Sequence, residues 1–148
     1  MIIIINNTMI KYFLFFLLAF VFFSSSCKKD KVERIPSVPI NISVPINSVQ
    51  YNDLNTIGGW VYVTGGYRGL IIYRLNNDDF LCYDRACPYH PSAEGARIEV
   101  ESSGLIAVDS LCGSRFFLSD GSVLKGPSTL PLKSYQTTFD GNYVSVFN

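Results

Sequence analysis

The sequence predicts one all-β domain of antiparallel strands, a sandwich or small barrel, over residues 38–148. Three observations predict this fold. Short runs rich in β-branched and aromatic residues recur about every eight to twelve residues, turns bearing glycine and asparagine separate them, and no stretch after residue 27 keeps the periodicity of a helix. With 48% hydrophobic residues among 148, the chain can bury a sizeable core.

The first 26 residues are predicted to be a lipoprotein signal peptide. Tyr12 to Phe23 form an unbroken apolar run, too short for a membrane span of about twenty residues and typical of a secretory signal, with Lys11 as its positive flank. The small residues Ser24 to Ser26 before Cys27 resemble the lipobox of bacterial lipoproteins, although a serine stands where leucine is usual. The resemblance implies that a lipid on Cys27 anchors an exported domain to a bacterial membrane, facing the periplasm or the cell surface.

The same segment leaves two alternatives open. It can be an ordinary cleaved signal or an N-terminal anchor helix, and the charge-free residues before Met9 make Met9 a second candidate start. Residues 27–37 follow as a predicted solvated tether, because charged residues and proline dominate them.

Charge and composition exclude several classes of function. Only Lys11 of the 12 basic residues precedes Cys27, so 11 basic residues remain against 12 acidic ones. This balance provides no basic surface for phosphates, and nucleic acid is not an expected partner. His90 is the only histidine, with Tyr89 and Pro91 beside it, so no Ser-His-Asp arrangement can be proposed. An electron carrier or a binding module is therefore favoured over an enzyme.

The strand prediction follows alternation, β-branched content and turn residues. Asp140-Gly141 is suited to a tight hairpin between the last two strands. The predicted strands are Ile40–Val44, Trp60–Thr64, Leu70–Arg74, Phe80–Tyr83, Arg97–Glu101, Leu105–Val108, Arg115–Leu118, Ser134–Phe139 and Asn142–Phe147.

Two loops carry the cysteines of chemical interest. A hairpin ending at Tyr83 leads into the loop that holds Cys87, and a second hairpin ending at Val108 leads into the loop that holds Cys112. Both loops follow apolar strands and bear glycine or proline, so the fold can bring them together at one end of the domain. They can hold a metal cluster, form a disulfide or stand as bare loops.

The residues of these loops resemble the cluster-binding region of Rieske proteins. The matching segments are Cys87-Pro88-Tyr89-His90, Cys112 to Phe116, Asp120 to Pro127, and Pro131-Leu132 before Tyr135. In that family the first loop reads Cys-x-His, the second reads Cys-x-x-His-Gly-Ser, and a Gly-Pro loop lies over the cluster. The resemblance covers roughly Val61 to Val146 and implies a Rieske-like antiparallel sandwich with two cysteine-bearing loops at one end.

The resemblance also implies a function and a set of site residues. It implies a 2Fe–2S cluster, transfer of single electrons and a redox partner protein. The implied metal ligands are Cys87, His90 and Cys112, and the implied residues beside the cluster are Ser114, Gly126 and Pro127.

The ligands depart from the family pattern. A Rieske centre takes two cysteines on one iron and two histidines on the other, whereas this chain has one histidine. In the alignment Cys112 occupies the position of the second histidine, Asp109 that of the second cysteine and Tyr89 that of the first histidine. Only Cys87 stands at its family position with its family chemistry.

The individual residues have simpler alternatives. Cys82 is predicted to be a small buried hydrophobe, because an extended strand places it roughly 16 Å from Cys87. Asp109 is predicted to be a turn residue that caps its loop, and His90 is either a ligand or a solvated loop residue. Without a cluster, Cys87 and Cys112 can form a disulfide that closes a loop of about 25 residues.

Two functions of different classes therefore stay open. One is a membrane-tethered electron carrier whose 2Fe–2S cluster has non-standard or incomplete ligands. The other is a cluster-free lipoprotein with the same fold and a structural or binding role. A thiol-redox enzyme that uses Cys87 and Cys112 is a weaker third, because no Cys-x-x-Cys motif or helix N-terminus lowers a thiol pKa.

Overall fold

The computed structural model of the protein describes residues 33–148, which fold into ten strands and one short 3-10 helix. All strand pairs are antiparallel, which confirms the all-β prediction. The predicted signal peptide (residues 1–26), Cys27 and the first part of the predicted tether lie outside the described residues. Within residues 33–148, no helix has the length and apolar character needed to cross a bilayer. The strands are β1 (Asn41–Pro45), β2 (Trp60–Val63), β3 (Leu70–Arg74), β4 (Phe80–Asp84), β5 (Ile98–Val100), β6 (Ile106–Asp109), β7 (Arg115–Phe117), β8 (Val123–Lys125), β9 (Ser134–Phe139) and β10 (Tyr143–Phe147).

The strands form two sheets, and the smaller sheet lies within the chain segment that connects two strands of the larger sheet. The large sheet has the order β1-β10-β9-β4-β3-β2, and the small sheet has the order β5-β6-β7-β8. Strands β4 and β9 pair directly, with Cys82 opposite Tyr135. All four strands of the small sheet lie between β4 and β9 along the chain, so the small sheet is an insertion between two neighbouring strands of the large one. The first cysteine loop follows β4 and the second lies between β6 and β7, so both belong to this insertion.

Nine of the ten strands are those that the sequence predicts, with ends that differ by at most one residue. Two elements of the structure, strand β8 and the 3-10 helix, are not predicted from the sequence. Strand β8 is a short edge strand that is mostly exposed, so it lacks the alternation that marks a half-buried strand. The 3-10 helix spans Val49–Asn55 and buries only Leu54, which is too little to produce a helical pattern in the sequence.

Strands β3 and β4 separate two hydrophobic cores. Leu70 and Ile72 of β3 enter the first core, which also contains Cys82 of β4. Ile71 and Tyr73 point to the opposite face and enter the second core, which continues under the small sheet. Successive side chains of a strand point to opposite faces. Strand β3 is therefore buried on both sides and contributes residues to both cores.

The carboxylate of Asp84 connects these layers at the end of β4. It is fully buried, and each of its oxygens accepts two hydrogen bonds. Oδ1 accepts the N–H groups of Arg68 (3.2 Å) and Ala86 (2.8 Å), and Oδ2 accepts the N–H of Tyr67 (2.7 Å) and the hydroxyl of Tyr135 (2.8 Å). A buried carboxylate needs such donors to offset its lost hydration, and here they tie the β2–β3 turn, the first cysteine loop and β9 together.

The glycine turn between β2 and β3 is shaped by this carboxylate. Gly66 has φ +62°, and a Cβ at that position would lie 2.5 Å from Asp84 Oδ2. Gly141, in the β9–β10 turn, also has a positive φ (+96°) but has open space around it. The first glycine is therefore required by both conformation and close approach, and the second by conformation alone.

These two glycines form a matched pair for a stability test. Gly141→Ala is expected to cost about 1–2 kcal/mol of unfolding free energy, the penalty of a left-handed backbone. Gly66→Ala is expected to cost about 1–3 kcal/mol more, because the new methyl group must displace the Asp84 carboxylate. Urea unfolding monitored by circular dichroism measures both losses, and equal losses would show that Asp84 does not constrain the turn.

Candidate functional site

The first cysteine loop is held in place from β4 and from the glycine turn. Cys87 is buried and follows Asp84 by three residues, and the Ala86 N–H bond to Asp84 fixes the start of the loop. The guanidinium of Arg68 donates to the carbonyl oxygens of Pro91 (2.9 Å) and Ala93 (2.8 Å). Both ends of the loop are therefore tied to the same β2–β3 turn.

The second cysteine loop is a tight turn built on Asp109, the last residue of β6. Asp109 Oδ1 accepts the Leu111 N–H at 2.8 Å, and the Asp109 carbonyl accepts the Gly113 N–H at 2.8 Å. Gly113 has φ +77°, which a residue with a side chain rarely adopts. The prediction that Asp109 caps this loop is confirmed, and the turn brings Cys112 back toward the domain.

A third loop closes against the second one through a serine pair. The Ser128 N–H donates to Ser114 Oγ at 2.9 Å, and both serines are buried. Gly126 and Pro127, joined by a cis peptide bond, are exposed next to this contact. The Gly-Pro loop thus contacts the second cysteine loop through Ser128, a residue that the sequence analysis does not single out.

Together these loops form what we call the thiol pocket, made of Cys87, Asp109, Cys112 and Ser114. The two sulfur atoms are 3.6 Å apart, and both cysteines are free thiols. The Cys112 thiol lies 3.1 Å from Ser114 Oγ and 3.5 Å from Asp109 Oδ2, both of which can accept its hydrogen. One ligand atom each from Cys87, Asp109 and Cys112 lie within 4.8 Å of one another.

The pocket keeps the Cys87 thiol protonated. Burial raises the pKa of Cys87 above its ordinary value, and its hydrogen bond with Asp109 raises that pKa further. The thiolate is the reactive form of cysteine, so this side chain is a poor nucleophile in the free pocket.

Two of the candidate ligands lie elsewhere. His90 is exposed, its ring centroid lies 4.1 Å from that of Tyr89, and it is not part of the converging group of donors. Cys82 is buried in the first core, as predicted for a small hydrophobe, and burial followed by the charge of Asp84 raises its pKa. Of the implied metal ligands, the structure brings together Cys87 and Cys112 and leaves His90 outside.

Sequence reasoning finds some of the remaining site residues only in part. The resemblance to Rieske proteins places Asp109 at the position of a cysteine ligand. Only the structure shows that Asp109 Oδ2 contacts the Cys112 thiol. Arg68 has no signal in the sequence, because its partners lie 23 and 25 residues further along the chain.

The comparisons with known proteins identify the fold. No protein-family model and no curated protein sequence matches this chain. A solved structure, the plasma-membrane Rieske protein PetC3 of Synechocystis PCC 6803, is similar with a TM-score of 0.52 and 19% identity, over 76% of this chain and 100% of that chain. The fold is Rieske-like.

Two other structures are similar to this Rieske-like domain at lower scores. The ferredoxin of carbazole 1,9a-dioxygenase from Nocardioides aromaticivorans IC177 has a TM-score of 0.47 and 16% identity, and the E. coli protein NirD has 0.46 and 17%. Each covers 75% of this chain and 98% of its own. At such identities the likeness concerns the fold, and the chemistry must be decided from the pocket itself.

The residues of the pocket do not fit a Rieske centre. That cluster takes four ligands, two on each iron, including two imidazoles. The Rieske-like domain provides three converging donor atoms, two from thiols and one from a carboxylate. Among the described residues no fourth ligand completes the set, since His90 is exposed and Cys82 lies in the other core.

The close approach of the two sulfur atoms predicts how the free pocket responds to oxidation. A mild oxidant is expected to join Cys87 and Cys112, since the sulfur atoms need only close from 3.6 Å to the bond length of about 2.05 Å. The bond is expected to stabilise the domain by about 3–4 kcal/mol, because it closes a loop of 25 residues. Peptide mapping by mass spectrometry and urea unfolding measure the two effects.

The control for this experiment is Cys82→Ala, which removes the third thiol of the described domain and leaves the pocket intact. This variant is expected to form the same bond and gain the same stability. A bond that involves Cys82, or a loss of stability on oxidation, would contradict the geometry of the pocket.

Proposed function

We propose that the protein is a lipid-tethered Rieske-fold protein that works without a two-iron cluster, as a binding module on a bacterial membrane. One observation carries this proposal: the pocket that corresponds to the cluster site contains two thiols and a carboxylate in contact, and no imidazole. The scaffold of the site is kept, with Ser114 and the Gly-Pro loop beside it. The binding role therefore belongs to the thiol pocket.

The membrane tether rests on the sequence. The apolar signal, the lipobox-like serines and Cys27 together support export and lipidation. The described end of the tether contacts the domain, since Ser92 Oγ donates to the Glu33 carboxylate (2.9 Å) and Lys133 Nζ donates to the Pro36 carbonyl (2.7 Å). A lipid on Cys27 would hold the domain against the periplasmic or outer face of a membrane.

The tether is tested by Cys27→Ser in the full-length protein. Loss of the lipidated thiol is expected to move the protein from the membrane fraction to the soluble fraction, because the lipid is the proposed anchor and no helix within residues 33–148 is long and apolar enough to cross a bilayer. Cys112→Ser is the matched control and is expected to stay in the membrane fraction. Quantitative immunoblotting of the two fractions gives the answer, and a Cys27→Ser protein still retained in membranes would refute the lipid anchor.

A second candidate function is an electron carrier with non-standard cluster ligands and a redox partner protein. The similarity to the plasma-membrane Rieske protein PetC3 favours it, since the two chains share the fold over the whole length of that protein. The ligand set of the described residues argues against it.

One preparation separates the two functions. Full-length protein purified from iron-replete cells under reducing conditions is expected to be colourless, with less than one iron per chain, because the pocket lacks the ligands for a Rieske cluster. Iron and sulfide analysis and a visible spectrum make the measurement. Two irons per chain, lost in Cys112→Ser and kept in Cys82→Ala, would favour the electron carrier.

A further inference from the structure

We infer that the thiol pocket is a mononuclear site for a divalent ion of the Zn²⁺ class, held by Cys87, Asp109 and Cys112. The inference rests on the proposed function, a binding role without a two-iron cluster, and names what is bound. It replaces the exposed His90 of the implied ligand set with the buried Asp109.

The first argument is the separation of the donor atoms. Two thiolates on one tetrahedral zinc, each about 2.3 Å from the metal, lie about 3.8 Å apart. The sulfur atoms of Cys87 and Cys112 are 3.6 Å apart, and the Asp109 carboxylate completes a group that spans no more than 4.8 Å. All three donors can therefore reach a single ion with small side-chain movements.

The second argument is a comparison of the two buried carboxylates. Asp84 and Asp109 are 0% and 1% exposed. Asp84 accepts three backbone N–H groups and a hydroxyl, whereas Asp109 accepts one N–H, from Leu111, and has the Cys112 thiol at its other oxygen. The one ion pair among the described residues joins Arg115 and Glu101, so Asp109 makes no salt bridge with a described residue.

A buried charge is normally paired, fully hydrogen-bonded or bound to a metal. Asp84 is fully hydrogen-bonded and Asp109 is not, although the two are equally buried. A divalent cation at the thiol pocket supplies the positive charge that Asp109 lacks, and the protons of the two thiols leave to solvent as the ion binds.

The donor types select the class of ion. Thiolates favour Cu⁺, Zn²⁺ and iron–sulfur clusters, while carboxylates favour harder ions. Zinc accepts both kinds of donor in one tetrahedral site, so the mixed set favours it over Cu⁺. Three protein ligands leave a fourth position for water or for a group on a bound partner, and the Ser114 hydroxyl, which already accepts the Ser128 N–H, is free to donate to the Cys112 thiolate.

The test uses full-length protein in detergent, reduced and treated with a chelator, with Co²⁺ as the spectroscopic substitute for Zn²⁺. The expected result is one Co²⁺ per chain with a thiolate charge-transfer band, displaced by one equivalent of Zn²⁺. Cys112→Ser and Asp109→Asn are each expected to weaken binding about tenfold or more. Asn keeps an oxygen for the Leu111 N–H, so Asp109→Asn should preserve the turn, which circular dichroism and urea unfolding verify.

The controls are His90→Ala and Cys82→Ala, both expected to bind Co²⁺ like the unmodified protein. Zn²⁺ is also expected to protect Cys87 and Cys112 from oxidation, a readout by mass spectrometry that does not need cobalt. Binding that is lost in His90→Ala and kept in Asp109→Asn would overturn the ligand set. Reduced protein that binds no Co²⁺ and gains no protection from Zn²⁺ would overturn the ion site, while membrane retention and the absence of iron would leave the proposed function standing.

Discussion

The buried carboxylate of Asp84 is the constraint on which the rest of the described structure depends. Its four hydrogen bonds reach the β2–β3 turn, the beginning of the first cysteine loop and strand β9. Arg68 extends this network, since its backbone N–H bonds Asp84 while its guanidinium holds the far end of the cysteine loop. Cys87 owes its position to a carboxylate three residues before it and to a turn about twenty residues before it.

The two sheets carry different parts of the molecule: the large sheet carries the first core, and the segment with the small sheet carries the candidate site. The large sheet joins the two ends of the described chain through β1 and β10 and carries the first core, in which Cys82 is one hydrophobic residue among many. The small sheet is part of the insertion between the paired strands β4 and β9, and this insertion carries all four residues of the thiol pocket. An insertion held at both ends by a large sheet can change its loop chemistry without changing the sheet, so a Rieske-like fold can exist with a different set of donors.

Much of the fold is predictable from the sequence, and the reason is local. Alternation, β-branched runs and turn residues identify nine strands because each signal lies within about six neighbouring residues. The 3-10 helix and β8 are missed because neither buries a regular face. For the site, the histidine count already shows that a complete Rieske ligand set is missing, but it does not show which donors meet.

By itself, the sequence determined the strand order along the chain, the presence of two cysteine loops after apolar hairpins, and the lack of a second imidazole. Only the tertiary structure decided that Asp109 turns Oδ2 toward the Cys112 thiol, that His90 stays exposed, and that Asp84 accepts four hydrogen bonds from N–H and O–H groups while Asp109 accepts one N–H. The physical reason is that these contacts depend on strand register and on the paths of loops held by residues up to 51 positions apart, and no local pattern encodes the direction in which a buried side chain points.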